Sequence, residues 1–545
     1  MKVLSTTRPH GGVRGANLSR SSKFFAGPFG RIFRALPPAD FGASDVASVD
    51  ALKALAKAMT SQPDKADPKD GPDSEESGIP SAFTYFGQFI DHDLTFDPSS
   101  SLQKQNDPDA LVDFRTPQFD LDNLYGRGPD DQPYIYDIKG KSFVLGPELT
   151  GAPQVNSGAL GLQRNNETPA RALIGDPRND ENVIVSQFQG LMQRFHNRIV
   201  DENPTWSFSQ VQQAVRFHYQ WVLLHDFLPT IVSAGVLDDV LPKAADGALV
   251  IEERNLRFFR FRDAAFMPLE FSAAAYRFGH SMVRPGYRLN DGVPLLPEGH
   301  RAKDDTLLPI FKHGEHAHDL RGFQAPLSPW AIDWRRFIDL EPMAYGGPID
   351  NPDPAIAGNR NRLQLAYKID TSLVSPLGVL PASVAIDPSV LALRNLERGW
   401  RMRLPSGQDV ARAMGLIPLT DAQIVIGKFI GAAAGDGDVP VPAGSFATFA
   451  GGAFADNCPL WAYCLAETVE IDVVVKTLDG PQTIKTRQLG PVGGRIVAET
   501  FVGLLLADSS SYVSLNPLWT PAYMQNGVFG LRELIAAALK FQIKP

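Results

Sequence analysis

The chain has 545 residues, 43% of them hydrophobic and 21% charged, with a formal net charge of −9. This is ordinary globular composition with length for a large core, and net acidity without a basic cluster argues against nucleic-acid binding. No apolar run approaches the ~18 residues of a membrane helix, and the two cysteines, Cys458 and Cys464, cannot form a disulfide framework; they read as free thiols or one local bridge.

In chain order, residues 1 to about 35 mix Arg, Ser and Gly without periodicity and read as a loose arm. The first residues are basic but lack an apolar segment. No Sec-type signal peptide is therefore expected, and the location implied is cytoplasmic or reached by a signal-independent export route. A short helix is predicted over 45–60, and the polar, Pro-rich stretch 61–78 reads as an exposed linker. The division expected is an arm and linker over 1–78 and one large domain over 79–545.

The stretch SAFTYFGQFIDHDLTFDP, 81–98, follows Gly78 and Pro80 and predicts a helix. At about 100° per residue, Gln88, Asp91 and His92 share one face, while Phe83, Phe86, Phe89 and Ile90 form the packed one. Asp93 then falls among the phenylalanines, where a carboxylate must be neutralised, hydrogen-bonded or bound to a cation.

Further on, 182–200 is a strongly amphipathic helix. Helices are also predicted over 207–235, 270–283, 389–400, 421–434, 494–507 and 530–540. Strand-like alternation is confined to short pieces such as 470–478. The fold class expected is mainly α, a large single domain with long loops and little β.

Four more stretches carry polar residues that packing alone does not want. In DFRTPQFDLDNLYG, 113–126, Thr116, Asp120 and Asp122 alternate along a short loop. Alone this reads as a solvated Asx-turn; beside the stranded Asp93 it becomes a candidate site for a hard cation. In GDPRNDEN, 175–182, the acids suit a helix N-terminus, which leaves Arg178 unexplained. In YRFGHSMVRP, 276–285, His280 sits on a helix beside Gly279, a position that a satisfied core histidine could equally hold. In RNLERG, 394–399, Asn395 interrupts an apolar face and needs a partner. The HGEHAH run, 313–318, has spacing that fits no standard metal site and reads as a loop.

GQFIDHD, T-x-x-x-D-x-D-x-x-YG, GDxRxxE, RFGH and N-x-x-RG stand here in the order of the peroxidase–cyclooxygenase superfamily, the animal-type haem peroxidases with many bacterial relatives. The sequence resembles that family over about residues 80–510, and LGPVGGRIVAETFVGLL, 489–505, resembles its late helix. The resemblance implies a haem peroxidase fold with haem b and calcium. His92 and Arg178 match the distal histidine and arginine, and Gln88 the distal glutamine. His280 matches the proximal iron ligand, Asn395 the acceptor of its far ring N–H, and Arg277 a neighbouring cofactor-binding position. Asp91 and Glu181 match the carboxylates that form ester bonds to haem methyl groups, though they also read as a simple cap and a surface acid. Asp93, Thr116, Gln118 (through its carbonyl), Asp120 and Asp122 match the calcium ligands, with Asp122 where Ser is common. Asn182 stands where one member has a methionine, so no sulfonium link is expected.

The activity implied is reduction of hydrogen peroxide with oxidation of halides, thiocyanate or small phenolic donors through a ferryl intermediate, as in a response to oxidative stress. The alternatives are a fatty-acid dioxygenase of the same superfamily and a non-catalytic haem or calcium scaffold. Dioxygenases place a radical-forming tyrosine three residues before the proximal histidine; here that residue is Arg277, with Tyr276 one position off.

Overall fold

The protein is described by a computed structural model, covering residues 29–61, 74–95, 115–245, 249–251, 254–261, 265–290, 307–312, 318–344, 362–382, 384–385, 387–429, 446–478 and 480–544. Helices dominate. They are α1 (Asp45–Met59), α2 (Ala82–Leu94), α3 (Asp122–Tyr125), α4 (Val183–Glu202), α5 (Phe208–Val222), α6 (Leu228–Ile231) and α7 (Ala234–Val240). After them come α8 (Leu269–Ser272), α9 (Leu391–Arg401), α10 (Gly407–Ala413), α11 (Leu460–Ala466), α12 (Gly493–Ala507), α13 (Tyr512–Leu515) and α14 (Leu531–Leu539). The strands form two-stranded ribbons, the longest joining Val469–Val475 to Gln482–Gln488 antiparallel.

α2 is the centre of the packing. Phe86, Phe89 and Ile90 are fully buried, as the phenylalanine periodicity predicts. Phe86 and Phe89 meet Phe188 of α4 at ring-centroid distances of 5.7 and 5.3 Å, and Phe86 meets Phe227 edge-on at 5.5 Å. Each such ring contributes roughly 1.5–3 kcal/mol by leaving water, so the helix is fixed from behind while its polar face stays open. α4 begins at Asn182, whose side chain accepts from the Ile184 N–H, and runs along α2 as a second layer.

Three expectations are corrected. The stretch 270–283 is not one helix: α8 stops at Ser272, Ala274 takes a non-helical backbone (φ −139°, ψ −82°), and a 3₁₀ helix, Ala275–His280, carries the histidine. Residues 421–429 form turns and extended chain. There Ile424 and Ile426 are buried in alternation, and Thr371 Oγ1 donates to the Val425 and Gly427 carbonyls at 3.0 and 3.1 Å. Of the stretch read as an exposed linker, Glu75–Gly78 is buried, and Glu76–Pro80 pairs antiparallel with Leu365–Tyr367. α1 stands where a helix was predicted over 45–60, and packs Leu52, Leu55 and Met59 into the main core. Of the 313–318 run, 313–317 lie outside the described residues. The two cysteines are buried free thiols.

Glu76 is buried between two guanidiniums, 2.5 Å from Arg284 Nη1 and paired also with Arg362. Removing one member of a buried charge cluster strands the others. Glu76→Gln is therefore expected to cost about 3–5 kcal/mol, read as a lower urea midpoint with an unchanged slope.

Candidate functional site

A cavity of about 560 Å³ collects the residues that the sequence singled out. Gln88, Asp91 and His92 of α2 form one part of its wall with Arg178 and Glu181; Tyr276, Arg277, Gly279 and His280 form another, next to Arg394 and Arg398 of α9. Gly279 leaves open space where a Cβ would stand. A larger cleft of about 840 Å³, lined among others by Arg198, Tyr523 and Lys544, contains none of these residues.

On the α2 side, His92 is buried. Its Nδ1 lies 2.7 Å from Asn179 Oδ1, and its Nε2 lies 3.4 Å from Glu181 Oε1, beyond the usual hydrogen-bond length. Gln88 Nε2 donates to that same Glu181 oxygen at 2.5 Å. Burial works to raise the Glu181 carboxyl, but His92, Arg178 and Gln88 together hold it below the usual range. Its side chain is 36% accessible because it faces the cavity. Asp91 reaches the same cavity and accepts from Thr95 Oγ1 at 3.1 Å.

Arg178 is fixed through its own motif. Asp176 caps the following turn by accepting from the Arg178 N–H at 2.8 Å, and also takes Arg178 Nη2 at 2.8 Å. The same Nη2 donates to the His92 carbonyl at 3.2 Å. Burial opposes charge on the Arg178 guanidinium, but Asp176 overrides it and raises its pKa.

On the other side, Asn395 is fully buried behind His280. Its Nδ2 faces His280 Nδ1 at 2.8 Å, while its Oδ1 accepts from Arg277 Nη1 at 2.7 Å. This reverses the expected orientation, in which Asn395 accepts the His280 N–H. Arg277 is the reason, since a guanidinium donates and only the amide oxygen accepts. Burial, followed by the Arg277 charge, pushes His280 down to about 3, so its ring is neutral at physiological pH.

The residues fit a haem. A neutral, half-buried imidazole at the cavity wall is a suitable axial donor. Burial and the neighbouring Arg398 push Arg277 down to about 10, with Arg394 adding to the effect. Arg277 and Arg394 hydrogen-bond neutral oxygens, of Ser272 and Asn395 and of Pro388 respectively. Such cations suit the carboxylates of a porphyrin.

The residues also fit a hard cation beside α2. Carboxylate oxygens of Asp93, Asp120 and Asp122 lie within 4.8 Å of one another. Asp93 Oδ1 is buried and has no hydrogen-bond partner among the described residues, while Oδ2 accepts from the Tyr219 hydroxyl at 3.1 Å. Burial, then Asp120 and Asp122, push the Asp93 carboxyl well above the usual range, the signature of an acid cluster wanting positive charge. Thr116 Oγ1 donates to Asp120 at 2.8 Å, and the Gln118 N–H donates to the Thr116 carbonyl at 2.8 Å, which folds the loop.

Sequence reasoning missed four of the residues that shape the site. Arg115 donates to Asp122 at 3.2 Å and pairs with Asp176, so it offsets the charge that aspartate adds at this position. Asn179 lies behind His92. Gly175 passes so close to the backbone of 122–126 that a Cβ would meet the Asn123 carbonyl at 2.5 Å. Phe323, at the cavity wall and 45% exposed, has φ +57°, a backbone that bulky residues rarely adopt. Its N–H and that of Gly322 donate to the Asp180 and Glu181 carbonyls at 2.5 and 3.0 Å. Arg115, Gly175 and Asn179 stand inside stretches singled out for other residues, and Phe323 carried no local signal.

Residues 103–305 match the family model for animal haem peroxidase. A probable oxidoreductase of Homo sapiens (PXDNL) is 27% identical over 264 residues, 44% of this chain and 17% of that protein. A peroxidasin homolog of Mus musculus is 25% identical over 337 residues, 57% of this chain and 19% of that one. The chain thus spans less than a fifth of the length of these relatives. In structure, peroxidase A of Dictyostelium discoideum aligns over 90% of this chain and 88% of its own, with a TM-score of 0.50 and 15% identity, so the fold is shared. By these likenesses residues 103–305 are similar to animal haem peroxidases, and the chain shares their fold. Among the described residues no helix is long and apolar enough to cross a membrane.

Burial works to raise the Asp176 carboxyl, but Arg178 and Arg115 outweigh it and hold it far below the usual range. A carboxylate depressed in the native state stabilises above its unfolded pKa of about 3.9, and that stability is lost as pH falls through and below this value. Thermal stability is expected to drop steeply below about pH 4, and Asp176→Asn should flatten that acid limb in a pH series of melting curves.

Proposed function

We propose that this protein is a haem peroxidase that reduces hydrogen peroxide and oxidises a halide, thiocyanate or a small phenolic donor. The observation that carries the reading is that His92 and Arg178 line one cavity with His280, whose far ring nitrogen meets a buried amide. The haem, when bound, supplies the redox centre. His280 Nε2 would ligate it, and Arg277, Arg394 and Arg398 would receive its propionates. Ligation through Nε2 requires the proton on Nδ1, so Asn395 must turn its Oδ1 towards the ring and Arg277 must find another acceptor. A propionate is such an acceptor. Asp91 and Glu181 are the carboxylates for ester attachment.

The proton work falls to the α2 side. His92 Nε2 takes the proton from one peroxide oxygen and returns it to the other as the O–O bond breaks. Arg178, held by Asp176, balances the negative charge that grows on the departing oxygen. Gln88 holds Glu181 by its Oε1, which keeps that oxygen from claiming Nε2. The catalytic domain is 79–545, with α1 packed onto it. Asp93, Thr116, Gln118 through its carbonyl, Asp120 and Asp122 would hold calcium, which would fix α2 one residue from His92.

A second reading, a fatty-acid dioxygenase, draws on Tyr276, which also lines the cavity. Its hydroxyl is committed to the Gly87 carbonyl at 3.2 Å, and Arg277 holds the position three residues before His280. Oxygen uptake on a fatty acid without added peroxide would favour it.

The visible spectrum tests the proposal. A Soret band is expected that shifts on adding one equivalent of peroxide and recovers with bromide or a phenol. A band indifferent to peroxide would overturn the reading. His280→Ala should lose haem. His92→Ala should keep it and slow the peroxide reaction by about 10²–10⁴-fold; unchanged reactivity there would remove His92 as the base.

Calcium should raise the melting temperature of chelator-treated protein, by about 2.7 kcal/mol in stability at a hundredfold excess over Kd. Asp93→Ala should abolish that response in differential scanning calorimetry.

A further inference from the structure

A general base on a histidine needs its ring protons in one arrangement: the working nitrogen bare and the other carrying the hydrogen. Nothing on α2 imposes this on His92. The structure supplies it from behind, through residues that play no part in the family motif reading. His92 Nδ1 meets Asn179 Oδ1 at 2.7 Å, and Asn179 Nδ2 donates to Gln189 Oε1 of α4 at 2.8 Å. Asn179 and Gln189 are both fully buried. Because Gln189 offers an oxygen, Asn179 must present its NH₂ there and its own oxygen to the ring. An amide oxygen only accepts, so Nδ1 must carry the proton, and in the neutral ring Nε2 is left with its lone pair, 3.4 Å from Glu181 Oε1.

The orientation of Gln189 is then decisive. Turned over, it would offer NH₂ to Asn179, reverse that amide, and put a donor against His92 Nδ1. As oriented, Gln189 Nε2 is buried without a partner among the described residues, and so are both polar atoms of Gln193. Gln193 is one turn further along α4, on the same face. Three buried amide atoms without partners, grouped on one face, mark a site for internal water. A water accepting from Gln189 Nε2 and donating to Gln193 Oε1 would satisfy both groups with Gln189 in this orientation.

We propose that Asn179, Gln189 and Gln193, completed by an internal water, form a buried amide relay that fixes His92 with its proton on Nδ1 and Nε2 free as the base. These are positioning residues; none touches the cavity. The role of the base rests on the peroxidase reading above, whereas the protonation state of the ring does not.

The test is the ring of His92 in deuterated, ¹⁵N-histidine-labelled protein in a diamagnetic form near pH 8, assigned by its loss in His92→Gln. Two-bond ¹H–¹⁵N correlations should show a single Nδ1–H tautomer. Gln189→Leu should give a mixture of tautomers. It should also lower the rate constant with peroxide about 10-fold or more, with a displaced pH profile. Gln189→Glu, which accepts from Asn179 with either oxygen, should restore the single tautomer and guards against a variant that merely misfolds. An Nε2–H tautomer in the wild type overturns the relay, as does an unchanged tautomer and pH profile in Gln189→Leu. A wild type with the expected tautomer that ignores peroxide leaves the relay standing and sinks the peroxidase reading.

Discussion

The whole site depends on one buried carboxylate, Asp176. It holds Arg178 by backbone and side chain, and it holds Arg115 from the loop of the candidate cation site. Arg178 in turn grips the His92 carbonyl, and Arg115 grips Asp122. Two guanidiniums on one desolvated carboxylate are strongly bound because each burial is compensated by charge and by hydrogen bonds. The loop 115–126, helix α2 and the loop 175–181 are therefore locked to one another through one side chain. The distance from the acid cluster to the His92 face of α2 is set there.

Around that joint the two sides of the cavity are built from different materials. The α2 side is rigid, with packed aromatic rings behind it and a run of fixed hydrogen bonds in front. The His280 side is short and irregular: a 3₁₀ turn, an amide and a pair of arginines hydrogen-bonded to neutral oxygens. That division fits the work proposed for each. Proton transfer demands sub-ångström placement, whereas a ligand site must admit a large group and adjust to it.

Much of this was legible in the sequence, and the failures have physical causes. α2 was readable because its phenylalanines recur with helical period, and Asp93 was readable as the one residue that broke the pattern. The Glu181 and Arg178 positions followed from their motif. Arg115 was not visible, because its meaning lies in a partner 61 residues away. Asn179 was hidden inside its own motif, since its partner Gln189 shows itself only once α4 is folded against the 177–180 turn. Over its described part, 421–429, the helix expected over 421–434 failed because Ile424 and Ile426 alternate, and Thr371, distant in sequence, satisfies the backbone that a helix would have used. The segment 74–78 looked solvated for its charge. Its Glu76 is neutralised by arginines some two hundred or more residues further on.

The backbone bonds from Gly322 and Phe323 to the Asp180 and Glu181 carbonyls carry a consequence for how such a protein can diverge. The cavity wall at Phe323 and the segment that carries Glu181 are rungs of one ladder, and a side chain at Gly322 would collide with the Asp180 carbonyl. Insertions or deletions next to Phe323 would therefore drag Glu181, and with it Gln88, out of place. Selectivity at this wall is open to change by exchanging the ring at position 323 for another side chain, and closed to change by altering loop length. Variation among close relatives of this chain in what the cavity admits should accordingly be written in side chains.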